Sequence, residues 1–347
     1  MEKMEEGLVS LAKYCRGRVA VLSDATVAKS YGKEIQARLL KGGVEAELFA
    51  FPAGEGAKTR ETKEFLEDEL MRQNYGRDTV LIALGGGVTT DLVGFVAATY
   101  MRGVPFLSIP TTLLAMVDSA IGGKTGVNTP YGKNLIGAFY PPQAIFIHRE
   151  FLKSLPEREW MSGLGEVLKY GLIGNRDHWQ LCREAGKEWR KSPYIEKLIQ
   201  GSIQTKIEVV EKDPTEKGYR RILNFGHTVG HALELLSGYE MAHGEAVAIG
   251  CMAESYLSYL VGSLSKEALE EILHLYNRLG FKVRLPKKFQ KKSFLEAMAL
   301  DKKGKSGSPR FVQIDQIGRC IPFDGDYCQG VEMYELEDLV SWMESHE

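Results

Sequence analysis

Over the first 150 residues, short and wholly apolar runs alternate with amphipathic stretches. Residues 18–23 (Arg-Val-Ala-Val-Leu-Ser) read as a buried strand, as do 45–51, 79–84 (Thr-Val-Leu-Ile-Ala-Leu), 104–109 and 144–147. Apolar positions at helical spacing between them predict helices at 26–40, 62–73 and 91–101. Strands that are apolar on both faces and separated by helices belong in a parallel sheet covered on both sides. Past residue 151 the period changes: 163–173, 195–212, 222–236, 245–261 and 267–279 are helical in pattern, with a short β excursion near 311–323. The pattern predicts an α/β protein. A Rossmann-like parallel-sheet domain over 1–150 precedes a mainly α-helical domain over 151–347.

One helical segment is patterned unlike a core helix. If 222–236 extends back through Arg220, then Arg220, Asn224, His227 and His231 fall within about 60° of one stripe. That stripe carries a cation, an amide and two imidazoles where a core-facing stripe would carry leucines. His243 follows, so three of the chain's seven histidines lie within seventeen residues, beside glycines. Separately solvated histidines are the ordinary reading of any one of them. The cluster points instead to a metal or phosphate site. Glu166, inside an otherwise apolar helix with Lys169 one turn on, would be half-buried, which carboxylates avoid unless paired or metal-bound. With His227 and His243 it makes a two-histidine, one-carboxylate set with an open fourth position. By geometry alone, His227 and His231 would be chosen as the ligand pair, as histidines four apart on a helix often are.

The first half carries glycine-rich turns. Gly85-Gly86-Gly87-Val88-Thr89-Thr90-Asp91 follows a buried strand and opens a helix, where backbone amides and the helix dipole can meet a phosphate. A tight turn capped by Asp91 is the plainer alternative, and the G-x-G-x-x-G fingerprint is absent. Ser108 to Thr112 ends the next strand with hydroxyls at the same carboxyl edge, where open α/β sheets bind ligands, although Thr111-Thr112 could simply cap a helix. The stretch from Asp118 to Asn128 superficially resembles a P-loop, but the residue five before Gly123 is Asp118, so nucleoside-triphosphate binding is rejected. Lys124 and Lys133 there suit an anionic ligand or a solvated loop.

Bulk properties narrow the classes. A chain of 347 residues usually forms two domains. A formal charge of -2 gives no reason to expect nucleic acid or an anionic membrane as partner. Five scattered cysteines without a C-x-x-C pair read as reduced thiols of a cytoplasmic protein. No secretory signal and no apolar run of membrane-spanning length is visible.

Taken together, the motifs resemble the 3-dehydroquinate synthase family of the sugar phosphate cyclases, from Ser23-Asp24 to Asp301-Lys302-Lys303. The specific stretches are GGGVTTDLVGFVAATYMRG, IPTTLLAMVDSAIGGKTGVN, GKNLIGAFYPP, GEVLKYGLI, LNFGHTVGHALE and HGEAVAIG, in that order. The resemblance implies an N-terminal domain holding NAD and a C-terminal domain holding zinc or cobalt, with substrate in the cleft between. It implies Glu166, His227 and His243 as metal ligands. Asp24, Glu55, Lys58, Gly86, Gly87, Val88, Thr89, Thr90, Asp91, Thr111 and Thr112 would hold NAD, with Lys124, Lys133, Phe151 and Ser154 nearby. Asp118, Lys124, Asn134, Lys169, Lys206, Arg220, Asn224, His231 and one of Lys302 and Lys303 would surround the substrate. Arg102 would reach the partner's site in a homodimer.

The implied reaction turns 3-deoxy-D-arabino-heptulosonate 7-phosphate into 3-dehydroquinate and phosphate in the shikimate pathway, towards aromatic amino acids. It runs by transient oxidation with NAD, phosphate elimination, re-reduction, ring opening and intramolecular aldol closure, a net lyase reaction. His231 and Lys124 are candidates for proton transfer, with the substrate's own phosphate as a possible base. Three departures from the family stand out. A helical-looking segment precedes Arg18 where the family has a strand or hairpin, Thr90 stands where glycine is frequent, and Ser154 replaces a threonine. Rival readings are a cyclase whose seven-carbon substrate lacks the carboxylate, a polyol dehydrogenase, and a silent NAD-binding scaffold.

Overall fold

The computed structural model describes residues 6–10, 18–282, 285, 289–300 and 309–345. It divides into two compact units, Met1–Pro156 and Glu157–Glu347.

In the first unit, strand β1 (Val19–Asp24) is followed by helix α1 (Lys33–Lys41), β2 (Ala46–Phe51), α2 (Arg60–Arg72), β3 (Val80–Gly85) and α3 (Gly87–Thr99). Then come β4 (Phe106–Pro110), a hairpin of β5 (Lys124–Thr129) and β6 (Gly132–Phe139), and β7 (Ala144–Ile145). The sheet is parallel in the order β2-β1-β3-β4-β7. Every residue of β1, β3 and β4 is buried, as continuous apolar strands covered on both faces require. Helix α3 buries Leu92, Val93, Phe95, Val96 and Ala97, so it is apolar almost all round. Gly94 lets it lie close to the hairpin, since a Cβ there would come 2.5 Å from Thr125 Cγ2. The register places Asp24, Gly85 and Pro110 at one carboxyl edge.

Four features differ from the pattern-based expectation. The helix expected at 26–40 starts with a short turn, Ala25–Val27, and a wider one, Ala28–Gly32. The helix expected at 91–101 begins four residues earlier, with Gly86 as N-cap, so Asp91 is not its cap. Its far end closes through left-handed Met101 (φ 50°) and Arg102 (φ 70°) into Gly103 (φ 117°). The hairpin β5–β6 falls where a solvated loop was the plain alternative; glycines and polar residues hide its period of two. In keeping with the expectation, residues 6–10 are helical, and no strand precedes β1 among the described residues.

The second unit is helical: α4 (Glu157–Ile173), α5 (Arg176–Ala185), α6 (Tyr194–Lys212), α7 (His227–Leu236), α8 (His243–Leu260), α9 (Lys266–Arg278) and α10 (Lys291–Leu300). Four short strands follow, β8 (Arg310–Phe311), β9 (Ile314–Gln316), β10 (Arg319–Cys320) and β11 (Gln329–Gly330), then α11 (Met333–Ser345). Helix α8 is the hub and packs on α4, α7, α9 and α11. No helix among the described residues is long and apolar enough to cross a membrane.

The helix expected over 222–236, and extended to Arg220, does not exist as one piece. Tyr219–Asn224 is a 3-10 turn, Phe225 is extended (ψ 127°), Gly226 is left-handed (φ 81°), and α7 starts at His227. The cause lies in α8. A Cβ on Gly226 would come 2.6 Å from Cys251 Sγ, and one on Gly250 would overlap the Gly226 carbonyl. Arg220 and Asn224 therefore leave the stripe that His227 and His231 share.

Candidate metal centre and nucleotide turn

Three helices of the second unit meet where glycines remove the side chains between them. A Cβ on Gly244 would overlap the Ser162 carbonyl, and one on Gly165 the Gly244 carbonyl. This close approach of α4 and α8 puts Glu166 beside His243, the first residue of α8. His227, the first residue of α7, completes the group: one ligand atom from each of Glu166, His227 and His243 lies within 4.8 Å of the others.

The donor set fits a divalent metal. Glu166 is fully buried with Lys169 Nζ 2.5 Å from Oε2, yet neither oxygen has a hydrogen bond of proper geometry among the described residues. Oε1 lies 3.6 Å from His227 Nε2 and 3.5 Å from His243 Nε2. Two donors at about 2.0–2.1 Å from one tetrahedral ion would be about 3.3 Å apart. Each imidazole has its other nitrogen engaged. His227 Nδ1 donates to the Phe225 carbonyl at 3.2 Å, and His243 Nδ1 donates to Glu234 Oε2 at 3.3 Å. Those bonds leave the Nε2 atoms facing the shared point, where a metal would take the place of an Nε2 proton, the arrangement typical of metal-bound histidine. Burial disfavours a charged His243 ring, but Glu166 and Glu234 outweigh it and push its pKa up to about 10. The pocket calls for positive charge.

His231, one turn along α7, has its ring 5.4 Å from that of His227 and 6.3 Å from that of His243. It forms a second close group with Glu234 and His243. The same unit buries three of the expected cations. Lys169 donates to the Leu223 carbonyl at 2.9 Å. Lys206 is buried on α6, and Arg220 is buried with Nη1 donating to the Pro214 carbonyl at 2.6 Å. Asn224 donates to Glu216 Oε1 at 2.7 Å. Lys302 and Lys303 lie outside the described residues.

In the first unit the carboxyl edge of the sheet gathers the other expected residues. Asp24 accepts from the Thr26 and Val27 amides at 3.0 and 3.1 Å and from the Thr89 hydroxyl at 3.4 Å. The turn Gly86-Gly87-Val88 opens α3 with no side chain capping it among the described residues, so its amides remain for an anion. Cβ atoms on Gly86 and Gly87 would crowd Thr112 Cγ2 (2.9 Å) and Ser119 Oγ (3.0 Å). Thr90 bonds the Gly87 carbonyl at 3.1 Å within its own helix, so a threonine fits there without entering the turn. Thr112 accepts from the Ala115 amide at 3.1 Å, while the buried Thr111 hydroxyl lacks a partner among the described residues.

Lys58, buried, pairs with Asp91. Glu55 accepts from Asn128 Nδ2 at 2.8 Å. Lys124, Lys133 and Asn134 lie on the hairpin, Asn134 in the left-handed region (φ 54°), and Asp118 lies in the turn Ala115–Ser119. Phe151 and Ser154 meet Tyr31, by an edge-on ring contact at 5.0 Å and a hydroxyl pair at 2.6 Å. Together with Glu34, Glu150 and Lys153 these three line a cavity of about 330 Å³. Arg102 stands apart, beyond the far end of α3.

The family profile for the N-terminal part of 3-dehydroquinate synthase matches residues 48–162, and that for the C-terminal part matches 163–304. The chain belongs to the 3-dehydroquinate synthase family. The 3-dehydroquinate synthase of Pelobacter propionicus is 41% identical over 322 residues, covering 90% of this chain and 89% of the relative. Among solved structures, 2-epi-5-epi-valiolone synthase from Streptomyces hygroscopicus subsp. jinggangensis 5008, with NAD+ and Zn2+ bound, superposes with a TM-score of 0.86 at 30% identity. It covers 94% of this chain and 91% of that one. 2-Deoxy-scyllo-inosose synthase complexed with carbaglucose-6-phosphate, NAD+ and Co2+ gives 0.87 at 25% identity, covering 95% and 91%.

In this member of the 3-dehydroquinate synthase family, sequence reasoning passed over the carboxylates that support the site. Glu234 holds His243, and Glu216 holds Asn224. Glu254, fully buried on α8, accepts from the Gly226 and Val229 amides at 2.8 and 3.3 Å and so caps α7 beneath His227. Glu254 carried the signal that singled out Glu166: an acid within an apolar stretch of helix.

Proposed function

We propose that this chain is a cytoplasmic, homodimeric 3-dehydroquinate synthase, an NAD- and metal-dependent carbon–oxygen lyase. It converts 3-deoxy-D-arabino-heptulosonate 7-phosphate to 3-dehydroquinate and phosphate. The observation that carries the reading is the fully buried Glu166 carboxylate facing two correctly oriented imidazoles, His227 and His243, in a chain of this family. The first unit would bind NAD and the second the metal. When bound, NAD supplies a hydride acceptor that is later the donor, and zinc or cobalt supplies a Lewis acid.

The chain's own groups do the rest. Glu166, His227 and His243 hold the metal. The uncapped amides of the Gly86-Gly87-Val88 turn, with Asp24, Glu55, Lys58, Thr89, Thr90, Asp91, Thr111 and Thr112, hold the dinucleotide, assisted by Lys133, Phe151 and Ser154. Lys169, Lys206, Arg220 and Asn224, with Lys124, Asp118 and Asn134, orient a substrate that carries both a carboxylate and a phosphate. His231, next to the metal ligands, and Lys124 move protons. Retention of Lys206, Arg220, Asn224 and His231, which the family resemblance places at the substrate, favours the acid substrate over a seven-carbon sugar phosphate lacking the carboxylate. The four described cysteines are buried thiols, which supports the cytoplasmic assignment.

The test is incubation of the metal-loaded protein with the heptulosonate phosphate and a small amount of NAD. Phosphate released should exceed NAD many-fold with no net rise in NADH. One NADH per product would make the protein an ordinary dehydrogenase and sink the proposal.

A further inference from the structure

The turn that presents Arg220 and Asn224 is held from two sides by carboxylates. From within, Asp213 accepts from the amides of Lys217 (3.0 Å), Gly218 (2.8 Å) and Arg220 (3.0 Å), closing the loop on itself. From outside comes a C-terminal segment that the proposed chemistry does not use. It turns at Asp324 (φ 47°) and Gly325 (φ 83°), where Phe323 and Asp326 exchange backbone hydrogen bonds. There Asp326 Oδ2 pairs with Arg221 and lies 3.0 Å from Arg310 Nη1. Two further contacts join the same two segments, and a third ties Arg310 to α7 beside them. A Cβ on Gly218 would come 3.0 Å from the Gly325 carbonyl, the Tyr219 and Tyr327 rings meet edge-on at 5.2 Å, and the Thr228 hydroxyl donates to the Arg310 carbonyl at 2.9 Å. Neighbours in a 3-10 turn point about 120° apart. Arg221 can therefore face the C-terminal segment while Arg220 is buried on another side.

Burial would raise the Asp326 carboxyl, but hydrogen bonds from Arg221 and the Tyr327 amide, with the charge of Arg310, outweigh it and hold it below the usual carboxylate range. Asp326 is therefore ionised at neutral pH, facing both arginines.

We propose that Asp326 is a positioning residue: by tying Arg221 to Arg310 it sets the place of the 218–224 turn, and with it the substrate-binding Arg220 and Asn224. This rests on the reading that Arg220 and Asn224 meet the substrate's anionic groups. An isolated, partly exposed ion pair contributes little to stability. The effect should therefore appear in substrate affinity, where a misplaced charge-assisted contact is felt directly.

The experiment is calorimetric titration of metal-loaded enzyme, with NADH in place of NAD, by the heptulosonate phosphate, alongside steady-state kinetics with NAD. Asp326→Asn should weaken binding and raise KM by about tenfold, equivalent to about 1.4 kcal/mol, with KM for NAD and bound metal unchanged. Asp326→Glu should recover most of the loss. Arg221→Gln should reproduce the defect, and the double variant should be no worse than either single one. Arg221→Gln also carries the test if Asp326→Asn fails to fold. Unchanged affinity in the folded variants, or loss of metal in step with affinity, would overturn the positioning role. Wild-type protein that binds the sugar phosphate but releases no phosphate overturns the proposed reaction alone, and wild-type protein that does not bind it overturns both.

Discussion

At the scale of single residues, the site depends on where ring nitrogens point. His243 is useful to a metal only if its Nδ1 carries the proton, and Glu234 enforces that. Glu234→Gln keeps an acceptor for Nδ1–H but removes the negative charge, so metal affinity should fall by roughly 10- to 100-fold, read by competition with a chelator. Unaltered affinity would show that Glu234 does not act through His243. His243→Ala should lower bound zinc or cobalt along with activity, and full metal content in that variant would remove His243 from the ligand set. Chelation of the wild type should abolish turnover, with zinc or cobalt restoring it. The histidine cluster and the lone acid Glu166 were visible as residue types out of place for their helices. The role of Glu234 was not, because a glutamate near a helix end is normally a solvated surface group.

At the scale of elements, each proposed ligand has a glycine as chain neighbour: Gly165 before Glu166, Gly226 before His227, Gly244 after His243. These glycines let the helix axes approach until the three side chains share one point. A methyl group at 244 meets the Ser162 backbone, which cannot move aside as a flexible side chain could. Gly244→Ala should therefore force α4 and α8 apart, costing roughly 1–3 kcal/mol in stability and weakening metal binding. A fully stable variant with native metal affinity would refute the account. The parallel sheet was legible because strands buried on both faces must be apolar throughout. The break at Phe225-Gly226 was not. Periodicity runs on through it, and it is imposed by residues on α8 that lie far along the chain.

For the molecule as a whole, Arg102 supplies the test. Helix α3 has thirteen residues, hence a length of about 20 Å. Arg102 follows its last turn, well removed from the Gly86 turn at its start, in a left-handed conformation that a surface arginine has no need of. As a plain helix-end cation it would be worth only tenths of a kcal/mol. If it instead reaches substrate phosphate in the partner of a C2 dimer, its loss should cost roughly 2–5 kcal/mol in kcat/KM. Mixed dimers of Arg102→Ala with Lys206→Ala subunits then place both lesions in one site and none in the other. Activity should return to about half of wild type. Mixed dimers as inactive as their parents would confine Arg102 to its own subunit.

The linear chain by itself determined the class of each half, because burial imposes a period that composition must obey: continuous apolar runs for covered strands, a 3.6-residue repeat for packed helices. It also determined which residue types were available for chemistry, since a buried acid or a row of imidazoles stands out against leucines. Tertiary structure alone decided how they meet. Spacing alone pointed to His231, four residues on, as the partner of His227. Helix crossings at Gly244 and Gly250 then turned His227 and His243 towards Glu166 and left His231 beside them. Local pattern is short-range, whereas the meeting of residues 166, 227 and 243 is fixed by backbone contacts between separate elements, Gly244 against Ser162 and Gly250 against Gly226, beyond the reach of one helix's periodicity.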